Sequence, residues 1–386
     1  MTAKQSSKTK TPLTKQIEKY QRVALMLQGG GALGSYQLGV YRALAEVNCH
    51  LNWICGVSIG AINGAIIAGN LPENRVAKLE EFWNLITHAA PLAQMPYLDA
   101  LQNWNAAASR LMTITMGQPG FFRPHFSKSL FNPWTALAGN ARSTSMYDTS
   151  DLKATLEKLV DFDLLNSGVT RLSVGAVNVE TGNNIFFDTN NERLSPEHIM
   201  ASGALPPALP FIKIGDAHYW DGGIVSNTPL QHLLDQDDDL STLVFQVDLF
   251  NAKGTLPKQM DDVTRRQRDI VYSSRTRHAT SSFKRVLSLR RQLADALKRV
   301  PAKQLRAGEA AMMHDYADAG VINIIELIYE GNLLDSEDKD FGFAVETMHR
   351  RAAAGYADTV ASLAQPHWLD MPDAHAGVVE HDIHRV

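Results

Sequence analysis

Residues 23–34 have the sequence VALMLQGGGALG, and residues 53–64 have the sequence WICGVSIGAING. In each stretch a short apolar run is followed by a glycine-rich turn and then by small and apolar residues. A strand, a tight turn and a helix in this order are typical of a βα unit. We therefore predict strands at 22–28 and 52–56, followed by helices at 32–47 and from Ser58 to about Gly69.

Further strand-like runs occur at 170–179, 184–188, 211–214, 217–220 and 243–247, and one more at 321–329. Helical patterns separate most of them, and long helices dominate after residue 258. The early strands have continuous apolar runs instead of alternating ones, which is typical of strands covered on both faces. The pattern predicts an α/β fold with a mostly parallel sheet.

The composition is that of a globular protein, with 386 residues, 45% hydrophobic and 20% charged residues, and a net charge of −4. Residues 1–20 are polar and basic, and no apolar segment follows them, which argues against a secretory signal peptide. We expect these residues to form a disordered tail. No window approaches the roughly 18 apolar residues of a spanning helix. The expected location is the cytoplasm, with or without peripheral membrane contact.

The second glycine turn, Gly56-Val57-Ser58-Ile59-Gly60, has the G-x-S-x-G pattern of a nucleophile elbow. Such a turn exposes the serine hydroxyl between a strand and a helix. The pattern alone is weak, and a tight turn with a capping serine is the alternative. Its placement between an apolar strand and a helix of small residues favours a nucleophilic Ser58, supported by Gly56 and Gly60.

The first turn, Gly29-Gly30-Gly31, offers backbone N–H groups at the start of a helix, and Gly34 follows it. Such groups can stabilise the oxyanion that an acyl-transfer serine generates. The turn also matches the G-x-G-x-x-G pattern of dinucleotide-binding proteins. That function needs an acidic residue at the end of the next strand. The next strand leads into the serine turn instead, so we predict an oxyanion hole and no nucleotide cofactor.

The serine needs a base, and Asp221-Gly222-Gly223 is the best candidate. This turn follows a predicted strand, and its two glycines allow close approach to another loop. A carboxylate shielded from water has a raised pKa and can take the serine proton directly. A simple turn between strands is the alternative. No histidine stands out as catalytic among His218, His232, His278, His314 and His349.

These motifs together resemble those of the patatin-like acyl hydrolases. The resemblance covers roughly residues 22–250 and rests on four blocks in the family's order, which are QGGGALG at 28–34, GVSIG at 56–60, ASGALP at 201–206 and DGG at 221–223. It implies a doubly wound sheet with helices on both faces, a Ser58–Asp221 dyad, and an oxyanion hole formed by Gly29, Gly30 and Gly31. It also implies lipid acyl esters as substrates and no metal or other cofactor.

The chain departs from the common family motif D-G-G-G-x-R-G, because it has Gln28 in place of the acid and Leu33 in place of the arginine. Some bacterial members share this form and have a helical C-terminal extension. We therefore predict a catalytic domain at 21–250 with a helical insertion or lid at 98–147. A helical extension at 251–365 and a flexible tail at 366–386 would follow.

Residues 264–306 contain thirteen Lys or Arg and two Asp, a local charge of +11. Apolar residues recur there at helical spacing, namely Val286, Leu289, Leu293, Leu297 and Val300. A basic amphipathic helix can lie on an anionic membrane. It can also pack on the domain with a solvated basic face, which we favour. The segment lacks the features of a nucleic-acid-binding module, so we expect no nucleic-acid partner.

The residues thus predict a serine hydrolase of acyl esters, of phospholipase A type, acting through an acyl-enzyme. Two alternatives remain open. An acyltransferase would use the same serine and pass the acyl group to another acceptor. A non-catalytic lipid-binding protein would keep only the fold.

Overall fold

The computed structural model describes residues 12–87, 113, 115–125, 144–236, 239–306, 308–310, 320–331, 339–373 and 376–385. The strands are β1 Arg22–Leu27, β2 Trp53–Val57, β3 Arg123–Pro124, β4 Tyr147–Asp148, β5 Arg171–Asn178, β6 Asn184–Asp188, β7 Ile212–Ile214, β8 Ala217–Asp221, β9 Thr242–Asp248, β10 Ile322–Ile328 and β11 Val378–Asp382. The helices are α1 Pro12–Ile17, α2 Ser35–Glu46, α3 Ile59–Ala68, α4 Arg75–Leu85, α5 Ser150–Leu159, α6 Phe162–Leu165, α7 Pro196–Ser202, α8 Leu230–Leu234, α9 Met260–Leu297 and α10 Val345–Leu363. Short 3₁₀ turns include Gly31–Gly34, Gly222–Ile224 and Lys339–Phe341.

One mixed sheet organises the described residues, with strand order β11-β10-β9-β1-β2-β5-β8-β7 and with β6 also paired to β5. The pairs from β11 to β5 are parallel. The hairpin strands β6, β7 and β8 pair antiparallel. The prediction of a mostly parallel α/β sheet is therefore confirmed, and the two predicted βα units at its start are present.

Strand β8 continues the edge of β5 at the point where β2 ends. The last β2 pair on β5 is Val57 with Gly175, and β8 adds the pair Asp221 with Ala176. Strand β6 occupies the other edge of β5 at this level. The residue after Val57 is Ser58, so the register of three strands delivers Ser58 and Asp221 to the same place.

Both faces of the sheet are covered, as the strand composition predicts. Alternate residues of β1 enter two separate hydrophobic clusters. Leu25 and Leu27 belong to the larger cluster, together with residues of α2, α3, α4 and α10. Ala24 and Met26 belong to the second cluster, which includes residues of α8 and Leu287 of α9.

The C-terminal part of the chain is integrated into this sheet. Strand β10 pairs with β9, and β11 pairs with β10. The prediction of a flexible tail at 366–386 is therefore wrong, because residues 378–382 form a strand. A domain boundary after residue 250 also disagrees with the structure, since β10 and β11 extend the sheet of the predicted catalytic domain.

Helix α10 packs closely on α2 through glycines. A methyl group placed on Gly39 would lie 1.8 Å from the carbonyl oxygen of Ala352, and one placed on Gly355 would lie 2.1 Å from that of Tyr36. Backbones this close admit no side chain. The contact therefore ties α10 to the helix that directly follows the first glycine turn.

The described part of the predicted N-terminal tail is ordered. Residues 12–17 form α1, and the Gln16 amide donates a hydrogen bond of 2.9 Å to Asp370 Oδ1. The Tyr20 hydroxyl donates to the Asp370 carbonyl oxygen and accepts a hydrogen bond from Asn323. The tail prediction is thus wrong for residues 12–20, because they contact the C-terminal segment. Residues 1–11 lie outside the described part.

Most of the predicted insertion at 98–147 lies outside the described residues. Its described parts are 113, 115–125 and 144–147, and they contribute β3 and the first residue of β4. The predicted amphipathic segment at 264–306 falls mainly on α9. Within the described residues, no helix is long and apolar enough to cross a bilayer.

Helix α9 does not pack through the predicted apolar stripe. Its buried residues include Leu287 and Ala294, whereas Leu289 is 57% exposed. The other exposed residues of the stripe are Val286, Leu293 and Val300. The helix therefore covers the sheet with one face and presents an apolar stripe to solvent.

Candidate active site

Ser58 lies on a strained turn between β2 and α3. Its φ of 56° and ψ of −124° fall in a region that residues other than glycine rarely adopt. This is the backbone expected at a nucleophile elbow. The flanking glycines permit the turn, because a methyl group on Gly60 would lie 2.2 Å from the Leu27 carbonyl oxygen. A methyl group on Gly56 would similarly lie 2.4 Å from the Gly60 carbonyl.

Asp221 is buried beside Ser58 at the end of β8. Its Oδ1 accepts a hydrogen bond of 2.7 Å from the Gly223 N–H. The Ser58 hydroxyl lies beside this carboxylate and favours its ionised form. Gly222 lets the turn pass over β5, since a methyl group there would lie 2.7 Å from the Gly175 carbonyl oxygen.

Burial raises the pKa of Asp221 from 3.8 to about 6. The hydrogen bonds from Gly223 and Ser58 oppose this effect but do not cancel it. A raised pKa at this position agrees with the prediction made from the exclusion of water. A carboxylate with such a pKa is ionised at neutral pH and is more basic than an ordinary aspartate.

The first glycine turn faces Ser58, but its three N–H groups are not equivalent. The Gly29 N–H donates to the Asn227 carbonyl oxygen at 3.2 Å. The prediction that Gly29 contributes to the oxyanion hole therefore disagrees with the structure, because its donor is already used. Among the described residues, the N–H groups of Gly30 and Gly31 have no such acceptor. Gly34 lies further along, packed against Ile59.

The residues that replace the family's acid and arginine have structural roles. The Gln28 amide donates to Thr228 Oγ1 at 3.0 Å, and its Oε1 accepts from the Leu249 N–H at 2.5 Å. Gln28 thus joins the glycine turn to the end of β9. Leu33 is fully buried in the larger hydrophobic cluster, so this position contributes no cation to the site.

Two further residues hold the site together, and the sequence analysis assigned neither of them a role. The Ser58 N–H donates to Ser202 Oγ at 3.0 Å, and this hydroxyl donates to the Gly175 carbonyl oxygen at 2.6 Å. The Asn227 amide donates to the Gly29 carbonyl oxygen at 2.8 Å. Ser202 lies in the ASGALP block. Asn227 lies in none of the four sequence blocks and follows Gly223 by four residues.

A pocket of about 800 Å³, including its open mouth, lies above Ser58 and Asp221. One wall is aromatic, with Phe122 and Tyr147 ring centroids 4.8 Å apart and Phe121 next to Phe122. Phe343 of the C-terminal part touches Phe121 and also lines the pocket, as do Tyr272 and Asp340. Segments distant in sequence therefore build one pocket, and its mainly apolar lining is typical of small-ligand sites.

A second group of serine, histidine and aspartate side chains does not belong to this pocket. Ser173 Oγ donates to Asp188 Oδ2 at 2.5 Å, and His232 Nε2 lies 3.6 Å from the same oxygen. Arg171 forms an ion pair with Asp188, and Trp53 donates to Ser173. None of these residues lines the pocket. The group is a buried polar network, and its serine is fully enclosed.

A family model described as Patatin-like phospholipase matches residues 25–234, which is more than half of the chain. A second model, described as Patatin phospholipase, matches residues 270–375. The two matched ranges together contain the glycine turns, Asp221 and the C-terminal residues of the pocket wall.

Similarity to individual proteins is limited to short stretches. The chain is 52% identical over 61 residues to Patatin-like phospholipase domain-containing protein 7 of Rattus norvegicus, which covers 16% of this chain and 4% of that protein. It is 52% identical over 46 residues to Lysophospholipase nte1 of Aspergillus terreus, which covers 12% and 3% respectively. Thus the matched stretch spans a small fraction of these relatives' length.

Among solved structures, VipD from Legionella pneumophila aligns with 89% of this chain and 66% of its own, at 17% identity and a TM-score of 0.38. The family model matches residues 25–234, which include the motifs that form the pocket. By that match, this chain belongs to the patatin-like phospholipase family.

Proposed function

We propose that the protein is a serine hydrolase of lipid acyl esters that acts through a Ser58–Asp221 dyad. The observation that carries the proposal is the contact of Ser58, on its strained turn, with a buried carboxylate whose pKa is about 6. Family membership and the apolar pocket support a lipid substrate.

In the first half of the reaction, Ser58 Oγ attacks the ester carbonyl carbon while its proton passes to Asp221. The N–H groups of Gly30 and Gly31 stabilise the resulting oxyanion, a contribution of about 3–4 kcal/mol per donor in known acyl-transfer sites. The bond to the leaving oxygen then breaks, and Asp221 returns the proton to the alkoxide. The products are a free alcohol and an acyl-enzyme on Ser58.

In the second half, water attacks the acyl carbonyl and gives a proton to Asp221. The bond between the acyl carbon and Ser58 Oγ then breaks, Asp221 returns the proton to Ser58 Oγ, and the carboxylic acid leaves. The aromatic wall formed by Phe121, Phe122 and Tyr147 would hold the acyl chain, because its surface is apolar and adjoins Ser58.

Fluorophosphonate labelling of the wild-type protein tests this function. We expect a single covalent adduct, located on Ser58 by peptide mass spectrometry, and hydrolysis of p-nitrophenyl esters that varies with acyl chain length. Folded protein that shows neither adduct nor turnover would contradict the proposal and favour a lipid-binding protein. An adduct together with products other than free acid, when alcohol acceptors are added in excess, would favour the acyltransferase.

We also propose that the exposed stripe of α9 contacts an anionic lipid surface. Val286, Leu289 and Leu293 lie on the solvent side of this helix, and Arg285, Lys298 and Arg299 are exposed beside or beyond them. The local charge of +11 over residues 264–306 complements anionic headgroups. Apolar residues flanked by basic ones can enter the headgroup region in the membrane plane.

Vesicle co-sedimentation tests the membrane proposal. We expect the protein to bind phosphatidylcholine vesicles with 30% phosphatidylglycerol, with about tenfold weaker binding after Leu289→Ser and Leu293→Ser together, since each loses buried apolar area. Leu256→Ser is the matched control, because Leu256 is 87% exposed and lies outside the stripe. Equal binding of the two variants, or a dimer that only the double variant dissociates, would overturn the proposal.

A further inference from the structure

Asn227 occupies the space between the serine and aspartate turns. A methyl group placed on Gly29 would lie 2.4 Å from Asn227 Oδ1 and 3.0 Å from Ser58 Cβ. A methyl group placed on Gly223 would lie 2.8 Å from the same Oδ1 and 3.1 Å from Asp221 Oδ1. The amide oxygen is therefore within about 6 Å of both catalytic side chains.

The two ends of this amide have different environments. Its nitrogen donates to the Gly29 carbonyl oxygen at 2.8 Å, which fixes the orientation of the side chain. Its oxygen faces the pocket that Ser58, Asp221 and Asn227 line together, and no described residue donates a hydrogen bond to it. A fixed acceptor that faces a reaction centre is suited to hold a small polar molecule.

We propose that Asn227 positions the water molecule that hydrolyses the acyl-enzyme, an inference that rests on the proposed Ser58–Asp221 mechanism. One water molecule that donates two hydrogen bonds of about 2.8 Å bridges oxygens about 4.5 Å apart, and this separation lies within the upper limit of about 6 Å. Water gives one proton to Asp221 as its oxygen attacks the acyl carbonyl. Its second hydrogen, which stays on the attacking oxygen, donates to Asn227 Oδ1.

This role distinguishes water from an alcohol acceptor. An alcohol has one hydroxyl hydrogen, which Asp221 takes, and has no second hydrogen for Asn227. Asn227 would therefore favour hydrolysis over acyl transfer, because only water gains both hydrogen bonds. The residue is a positioning residue for the second half of the reaction and not for the attack of Ser58.

The test measures acylation and deacylation separately in Asn227→Ala. Stopped-flow release of p-nitrophenol gives the acylation burst and the steady rate, and added ethanol gives the ratio of ethyl ester to free acid. Loss of the hydrogen bond to the Gly29 carbonyl oxygen should lower the burst rate, and we expect deacylation by water to fall about tenfold further, the effect of the second lost hydrogen bond. The ester-to-acid ratio should rise about tenfold.

Ser202→Ala is the matched control, because Ser202 also holds the site but offers no oxygen to the pocket. It should change both steps together and leave the product ratio unaltered. A product ratio in Asn227→Ala equal to that of wild type would overturn the water-positioning role. The dyad itself would remain tested independently by the adduct on Ser58.

Discussion

Asp221→Asn is expected to give a folded protein that has lost at least about 10³-fold in ester turnover and yet is more stable than wild type at pH 8. An amide cannot take the serine proton, which accounts for the lost turnover. The gain in stability arises because wild type must ionise a buried carboxyl group, whereas the amide stays neutral. Chromogenic ester assays and urea unfolding at several pH values measure both effects.

The pH dependence of this difference follows from the sign of the pKa shift. The folded pKa of Asp221 is raised from 3.8 to about 6, so the contribution of this carboxyl to stability is present below pH 3.8 and is lost as pH rises through about 6. A shift of roughly two units corresponds to about 3 kcal/mol. The difference in the free energy of unfolding between Asp221→Asn and wild type should therefore grow between pH 4 and pH 8. For wild type, kcat/KM should fall as pH drops below about 6.

Asp188→Asn is the control variant, for which we expect the opposite change in stability at pH 8. Burial opposes the ionised form of Asp188, but the nearby His232 imidazole and the hydrogen bonds from Arg171 and Ser173 outweigh it and hold the pKa below its usual value. The amide at this position should lower stability at pH 8, and the loss should shrink as pH falls. A stability gain in both variants, or in neither, would contradict the electrostatic account of Asp221.

Ser58→Ala is expected to abolish fluorophosphonate labelling and to reduce ester turnover by at least about 10⁴-fold, because the attacking oxygen is absent. The fold should persist, since alanine meets the same backbone strain at a φ of 56° as serine does. The measurements are gel-based labelling, ester hydrolysis and thermal unfolding of the purified variant.

Ser173→Ala provides the matched comparison for this experiment. Ser173 is as fully buried as Ser202 and has an aspartate and a histidine beside it, but it lies outside the pocket. This variant should keep its label and its turnover while losing some stability. If Ser173→Ala abolished labelling and Ser58→Ala retained it, the nucleophile would be Ser173.

Much of the fold could be predicted because its first βα units are local in sequence. The apolar runs of β1 and β2 and the glycine turns after them lie within about forty residues, and their patterns carry direct conformational meaning. The motifs also led to Ser58 and Asp221, since a nucleophile and a buried base need special turns. The local sequence pattern could not predict the register of β8 on β5. This register explains why Ser58 and Asp221 meet.

Long-range contacts account for the differences between the sequence predictions and the structure. Residues 366–386 were expected to be flexible because they form a terminus rich in histidine and acidic residues, but residues 378–382 form β11 and pair with β10. Gly29 was expected to donate to an oxyanion, but Asn227, 198 residues away, accepts its hydrogen bond. The apolar stripe of α9 was expected to pack on the domain, whereas the helix uses other residues for that contact. Each outcome depends on a partner that sequence spacing does not reveal.

Strands β2 and β8 lie end to end along one edge of β5, and this pairing is separate from the segments that form the pocket wall. Backbone pairing sets the separation of Ser58 and Asp221, and the only stretch between them that this pairing requires is β5. The chain from α4 to β4 supplies Phe121, Phe122 and Tyr147 to the pocket but no part of that pairing. Substitutions at Phe121, Phe122 and Tyr147 can therefore change the pocket wall without changing the strand pairing that sets the separation of Ser58 and Asp221.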